Sequence, residues 1–192
     1  MNAEFIFSDK TTDDSDIIID DASKTEVFYN DLKHADNSCK FKIPYSITLV
    51  NKIKADLQNN VKCFVKNDDD SNYFCGYIRK TISFEKTQQN QPVSLELVSP
   101  SFLLDKTLDK GAVYINKTVT EIVTDLLSKA GFTDIKSIGI TDTISVCTFT
   151  EDDNIKDVID ELLQEYQKTY DFDNNGYFYT AGILDVPETD TV

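Results

Sequence analysis

Residues 118–131 read Thr-Val-Thr-Glu-Ile-Val-Thr-Asp-Leu-Leu-Ser-Lys-Ala-Gly, and their spacing decides the fold class. Val119, Ile122, Val123, Leu126, Leu127 and Ala130 recur at the helical period, on one face. Thr118 and Glu121 have the form of a capping box, in which each side chain satisfies the other's backbone donor. Gly131 supplies a left-handed stop. Far upstream, Ser38-Cys39-Lys40-Phe41-Lys42-Ile43-Pro44 follows a different rule. There Cys39, Phe41 and Ile43 alternate with Lys40 and Lys42, the period of a half-buried strand, and Pro44 ends the ladder or places it at an edge. The switch from period two to period 3.6 falls near Leu104 to Gly111.

Working outward from Ser38, the first half reads as short strands. Glu4 to Phe7, Asp16 to Asp20 and Thr25 to Tyr29 are β-branched or aromatic runs split by polar clusters. Ile47 to Leu57 predicts a short helix with Ser46 as N-cap, since Leu49, Ile53 and Leu57 are spaced by four. Val61 to Val65 and Tyr73 to Ile78 follow as strands across the polar turn Asn67 to Asn72. Gly76 inside the second of these predicts a bulge or bend. Thr81 to Glu85 continues the alternation, Gln88 to Gln91 makes a loop, and Val93 to Val98 closes the half.

Beyond the switch, Ile155, Val158, Ile159, Leu162, Leu163 and Tyr166 repeat the helical spacing, with Asp153 or Asn154 as cap. Ile138 to Ile140 and Ile144 to Phe149 read as strands between the helices, which are expected to pack on one small sheet. Asn175-Gly176 between Tyr170-Asp171-Phe172 and Tyr177-Phe178-Tyr179 is a hairpin signal. The expected fold is α+β: a small antiparallel β-barrel-like domain over 1–106, then a small α/β domain over 107–192 with two amphipathic helices and a β-hairpin.

Composition limits what such a chain can do. Its 192 residues suit two small domains, each large enough for a core without metal or disulfide staples. A formal charge of −15, with no basic cluster beyond Arg79-Lys80, disfavours direct binding to nucleic acid or to an anionic membrane. No apolar run approaches the roughly 20 residues of a membrane span. Met1 to Asp14 lacks the basic start and apolar stretch of a signal peptide, so synthesis in a cytoplasm is expected.

Motifs that carry chemistry are scarce. Cys39, Cys63, Cys75 and Cys147 lack Cys-x-x-Cys spacing, and the first three alternate with apolar residues, as buried strand thiols do. His34, the single histidine, precedes Cys39 by five residues in a polar stretch and reads as a solvated loop residue. A nucleophilic cysteine would need a base in contact with it. Asp171-Phe172-Asp173-Asn174-Asn175-Gly176 matches the opening of a calcium loop, but its twelfth position is Gly182 where a bidentate Glu is required, so it reads as a turn. Asp68, Asp69 and Asp70 read likewise. Asn116-Lys117-Thr118 is a glycosylation sequon whose threonine is already used as a cap. No phosphate-cradling, dinucleotide, zinc-protease or serine-hydrolase motif occurs. The expectation is a non-enzymatic protein with no catalytic, cofactor-binding or metal residue and no cofactor.

Three stretches, taken in order, resemble a family. They are Ser38 to Ile43 leading to Tyr73-Phe74-Cys75-Gly76-Tyr77-Ile78; Leu103-Leu104-Asp105-Lys106 leading to Asn116 to Val123 and Ala130-Gly131-Phe132; and Asp153-Asn154-Ile155 through Leu162-Leu163-Gln164-Glu165-Tyr166 to Phe172 to Tyr179. Together they are similar to the hub proteins of phage tail baseplates and related injection machines, the late control D-like family. The resemblance implies a structural component of the virion tail, made in the host cytoplasm, that joins the tube to spike, tape-measure or baseplate proteins. It also implies a homo-oligomeric ring, with a trimer favoured over a hexamer. Two departures stand out. Gln167 and Lys168 follow the aromatic where the family has Gly, and family members carry a second barrel beyond this hairpin, whereas this chain ends at Val192. A shortened hub and a piece of a longer one both remain open. The alternatives are a cytoplasmic adaptor of the same fold, or a cell-wall glycan hydrolase built on an apolar-shielded carboxylate.

Overall fold

The computed structural model describes residues 2–6, 17–19, 23–28, 37–56, 60–67, 69, 71–79 and 92–183. The readings placed on His34, Leu57, Asp68, Asp70, Thr81 to Glu85 and Gln88 to Gln91 lie outside them. The chain is α+β and divides into two compact units, Met1–Pro100 with Asn174–Gly176, and Ser101–Asp173 with Tyr177–Val192.

The first unit holds strands β1 (Asn2–Ile6), β2 (Ile17–Ile19), β3 (Ser23–Phe28), β4 (Ser38–Ile43), β5 (Lys62–Lys66), β6 (Asn72–Ile78) and β7 (Val93–Val98), with helix α1 (Ile47–Asp56). They form one antiparallel sheet in the order β2-β1-β5-β6-β7-β4-β3. The alternation of β4 is realised: Cys39, Phe41 and Ile43 are buried, and face Leu97, Leu95 and Val93 of β7 in register. Alternate residues of β1 and β5 meet in the same way, Ala3 against Val65 and Phe5 against Cys63, and Glu4 pairs with Lys66 at 2.8 Å across them. Helix α1 starts where Ser46 accepts from the Leu49 amide at 3.4 Å, and adds Leu49, Val50 and Ile53 to the core.

The sheet curls. Four steps separate β1 from β4, roughly 19 Å in a flat sheet at about 4.8 Å per step. Yet the Phe5 and Phe41 rings lie 6.3 Å apart, which only a strongly rolled sheet permits. Among the described residues no ladder joins β2 to β3, so the barrel-like expectation resolves into a rolled, open sheet. Gly76 also has a different cause from the one expected. The register shift of this pair lies between Val65 and Lys66, away from Cys63–Gly76, and a Cβ on Gly76 would sit 2.5 Å from the Val98 carbonyl oxygen. Close approach of β7, not a bulge, excludes a side chain there.

The second unit begins within a 3-10 turn, Pro100–Leu104, followed by β8 (Ala112–Thr118), α2 (Val119–Lys129), β9 (Ile135–Ser137), β10 (Thr143–Phe149), α3 (Ile155–Glu165), β11 (Lys168–Phe172) and β12 (Phe178–Gly182). The capping box of α2 is formed: Thr118 Oγ1 accepts from the Glu121 amide at 3.2 Å, and the Thr118 amide donates to Glu121 Oε2 at 2.8 Å. Gly131 follows at φ 82, and Lys106 Nζ donates to the Ala130 carbonyl at 2.7 Å. Asn154, not Asp153, caps α3 by accepting from Lys156 and Asp157.

The expected single sheet is two. β8 pairs only with β10 among the described residues, while β11-β12-β9 form a mixed sheet in which β9 runs parallel to β12. The strand read at Ile138 to Ile140 lies earlier, at Ile135–Ser137, because Gly139 turns left-handed at φ 65 and Ile140 is held by Thr120, whose hydroxyl donates to its carbonyl at 2.8 Å and accepts from its amide at 3.1 Å. The Asn175-Gly176 hairpin is present, with Gly176 at φ 79. Its aromatic strands pack as a cluster: Tyr170 stacks on Phe178 at 5.0 Å, and Phe172 meets Phe132 edge-on at 5.3 Å. Gln167, the departure noted after α3, adopts φ 56, so a glutamine occupies the left-handed position that glycine fills at no steric cost.

Two substitutions test these backbone assignments by urea unfolding. Gly76→Ala is expected to lower stability by about 1–3 kcal/mol, because neither the carbonyl nor the added methyl can give way. Gln167→Gly is expected to raise it by as much as about 1 kcal/mol as left-handed strain is relieved. Unchanged midpoints would contradict both.

Candidate functional site

Of the residues weighed for chemistry, Cys39, Cys63, Cys75, Cys147, Asp69, Asp171 and Asp173 are among those described. Cys39 and Cys63 lie in the core cluster, and burial pushes the Cys63 thiol well above its ordinary range. Cys75 is buried too, but it stands opposite Phe64 in the ladder and so on the other sheet face from Cys63, which stands opposite Gly76. Cys147 is half-buried on β10, its thiol raised by burial and then by the Glu165 carboxylate. In the calcium-like stretch, Asp173 Oδ1 accepts from the Tyr177 amide at 3.0 Å and Oδ2 pairs with Lys136 at 3.1 Å, so this carboxylate braces the hairpin turn. Asp69 accepts from the amide and hydroxyl of Ser71, and those bonds hold its carboxyl below the usual range. Among the described residues no three His, Cys, Asp or Glu side chains are grouped as metal ligands, and no helix is long and apolar enough to cross a membrane.

A surface stands out instead. Among the described residues the large exposed hydrophobics are Ile47, Val113, Ile115, Val146, Tyr177 and Ile183. Half of them lie on one face of the β8–β10 ribbon: Val113, Ile115 and Val146 are 64%, 63% and 63% exposed. Register places Val146 directly opposite Ile115 and Thr148 opposite Val113, so the three aliphatic side chains form a contiguous outer row. The other face carries Ala112, Tyr114, Cys147 and Phe149, partly buried, with Tyr114 and Phe149 edge-on at 5.9 Å.

Helix α2 holds this ribbon in place. Tyr114 donates to Asp125 Oδ2 at 2.6 Å, and Lys129 pairs with the same carboxylate. Burial pushes the Tyr114 phenol up, and its bond to Asp125 adds to the effect. Burial also raises the Asp125 carboxyl, but the bonds from Lys129 and Tyr114 outweigh it and hold the group below its ordinary value. At the end of the ribbon Lys117 meets Glu121 at 2.6 Å, and with the two bonds from Thr118 it holds the Glu121 carboxyl down to about 2. Sequence reasoning passed over β8 because its first four residues, Ala112 to Ile115, are apolar on both faces and show no amphipathic contrast. The signal it did contain was a β-branched residue on each side of Tyr114.

No protein-family model matches the chain, and no curated protein sequence matches it. Solved structures do. The 43 kDa tail protein of prophage MuSo2 from Shewanella oneidensis superposes with a TM-score of 0.62 at 14% identity, over 94% of this chain and 55% of that one. The tail protein from Neisseria meningitidis MC58 gives 0.61 at 12% identity, over 97% and 52%. A chain of the PdpA–VgrG complex gives 0.58 at 12% identity, over 93% and 34%. The chain has the fold of phage tail proteins. The resemblance in the order of sequence elements is thus a resemblance in fold, although this chain spans only about half the length of the first two.

The titration of Glu121 is open to test. Its folded value, about 2, lies below the ordinary 4.5, so its charge stabilises the fold above that ordinary value and loses its effect as pH falls toward about 2. Glu121→Gln keeps the cap geometry but not the charge. The variant is expected to melt below the wild type at neutral pH, with the gap closing through the acid range in circular dichroism melts. A gap independent of pH would contradict the assignment.

Proposed function

We propose that this protein is a structural component of a phage or phage-like tail, a hub or tail-tip piece that connects the tail tube to spike or baseplate proteins. One observation carries the reading: the likeness to three tail or spike-complex proteins covers 93% or more of the chain, and so residues of both units. A likeness confined to one unit would have been compatible with a domain reused elsewhere.

The role is one of assembly, not turnover. A glycan hydrolase needs a carboxyl raised by apolar surroundings, whereas the shifted carboxyls among the described residues, Asp69, Glu121 and Asp125, are all lowered. We read the working form as a closed homo-oligomeric ring, a trimer before a hexamer, whose contacts are heterologous and close by rotation. The partners are other tail proteins and the location is the virion. The charge of −15 suits a part that DNA passes without being held.

Native mass measurement of the purified protein tests the ring, with a closed trimer or hexamer expected and a strict monomer at micromolar concentration counting against it. Deleting the gene tests the tail assignment. Particles lacking complete tails by electron microscopy, restored by the gene in trans, are expected; normal tails would overturn it.

A further inference from the structure

We propose that the outer face of the β8–β10 ribbon is a docking surface for an extended segment of another protein with an apolar centre flanked on both sides by lysine or arginine. The surface is the row of Val113, Ile115 and Val146, each nearly two-thirds exposed and contiguous across the ladder. Helix α2 braces the opposite face through Tyr114 and Asp125, so the row is presented on a supported ribbon. Contiguous exposed apolar side chains rimmed by polar ones mark interaction sites. Among the described residues each strand of the ribbon has only the other as ladder partner, which leaves an edge of each able to receive an extended segment.

Area and charge select the occupant. Three aliphatic side chains at this exposure offer on the order of 300 Å², taking about 100 Å² apiece from the transfer free energy of such groups. A stable protein dimer needs roughly 800 Å² per partner, so this row is too small to hold two copies together face to face. The ends of the ribbon set the sign of what can bind. Asp109, Glu151 and Asp152 flank the Ala112–Phe149 end and Asp142 flanks the Thr143–Thr118 end, all exposed. Against them stand Lys110 and Lys117, and Lys117 is already paired with Glu121. An apolar row between acidic ends fits a short segment with basic residues on both sides of an apolar centre. This chemistry does not depend on the tail assignment.

The test uses the full chain and three fluorescein-labelled peptides: one with lysines on both sides of a valine centre, one with serine in place of valine, and one with glutamate in place of lysine. Anisotropy is read at low and high salt. The valine–lysine peptide is expected to bind, more weakly at high salt, and the other two to bind at least tenfold more weakly. Ile115→Ser with Val146→Ser is expected to cost a further tenfold or more with the fold intact by circular dichroism, since these side chains are solvent-exposed. Asp142→Asn with Glu151→Gln and Asp152→Asn is expected to weaken binding several-fold and to flatten the salt dependence, while Ile183→Ser leaves affinity unchanged. The proposal is overturned if the valine–lysine peptide fails to bind, if the serine–lysine peptide binds as well, or if the Ile115/Val146 variant binds like the wild type.

Discussion

The contact between Phe5 and Phe41 is where the first unit is decided. One aromatic comes from the second strand of the sheet and the other from the sixth, and they meet only if the sheet rolls over its own apolar face. Rolling brings the inward residues of β1, β4, β5, β6 and β7 into one cluster and lets α1 add Leu49, Val50 and Ile53 to it. Close packing then constrains the backbone itself. At Gly76 the carbonyl of Val98 comes so near that a methyl group cannot be placed, so the tightness of the roll is recorded in a residue type. The outward lysines of β4 and the Lys66–Glu4 pair keep the far side wetted.

The second unit is organised by helix ends more than by sheet. The cap of α2 draws together Lys117, Thr118 and Glu121. Within the same turn Thr120 clasps both backbone groups of Ile140. The cap of α3 adds Asp105 through Asn154 at 2.8 Å. Short sheets of two and three strands are marginal alone, and here the buried faces of α2 and α3 supply what the ladders lack. The same arrangement leaves one ribbon face uncovered, which turns a structural economy into a contact surface.

Much of this was legible from the residues, and the misses have definite causes. Both long helices announced themselves through apolar faces, the Thr118–Glu121 box and Gly131, because caps and period report the same element independently. β4 and β7 were equally plain, since one wet face and one dry face give clean alternation. β8 was not, because Val113 and Ile115 point outward where polar residues are expected. Ile138 and Ile140 looked like a strand because both are buried, yet Gly139 between them is left-handed. Cys75 alternates with apolar residues as Cys39 and Cys63 do, yet it faces away from these core thiols, which only the register with β5 reveals. The candidate surface was invisible for the reason β8 was: a functional face breaks the inside-outside rule on which reading a strand depends.

The ladder between β1 and β5 has a consequence in time. Phe5 pairs with Cys63, so once β1 is made roughly sixty more residues must follow before this partner exists. At translation rates of about 5–20 residues per second that is an interval of about 3–12 s, plus the length hidden in the ribosome. During it β1 has only β2 to pair with, through Ala3–Ile19 and Phe5–Ile17, and sheets rich in distant pairings fold slowly because loop closure costs entropy. A nascent chain of this kind gains from whatever shields residues 2–6 until Lys62–Lys66 has emerged.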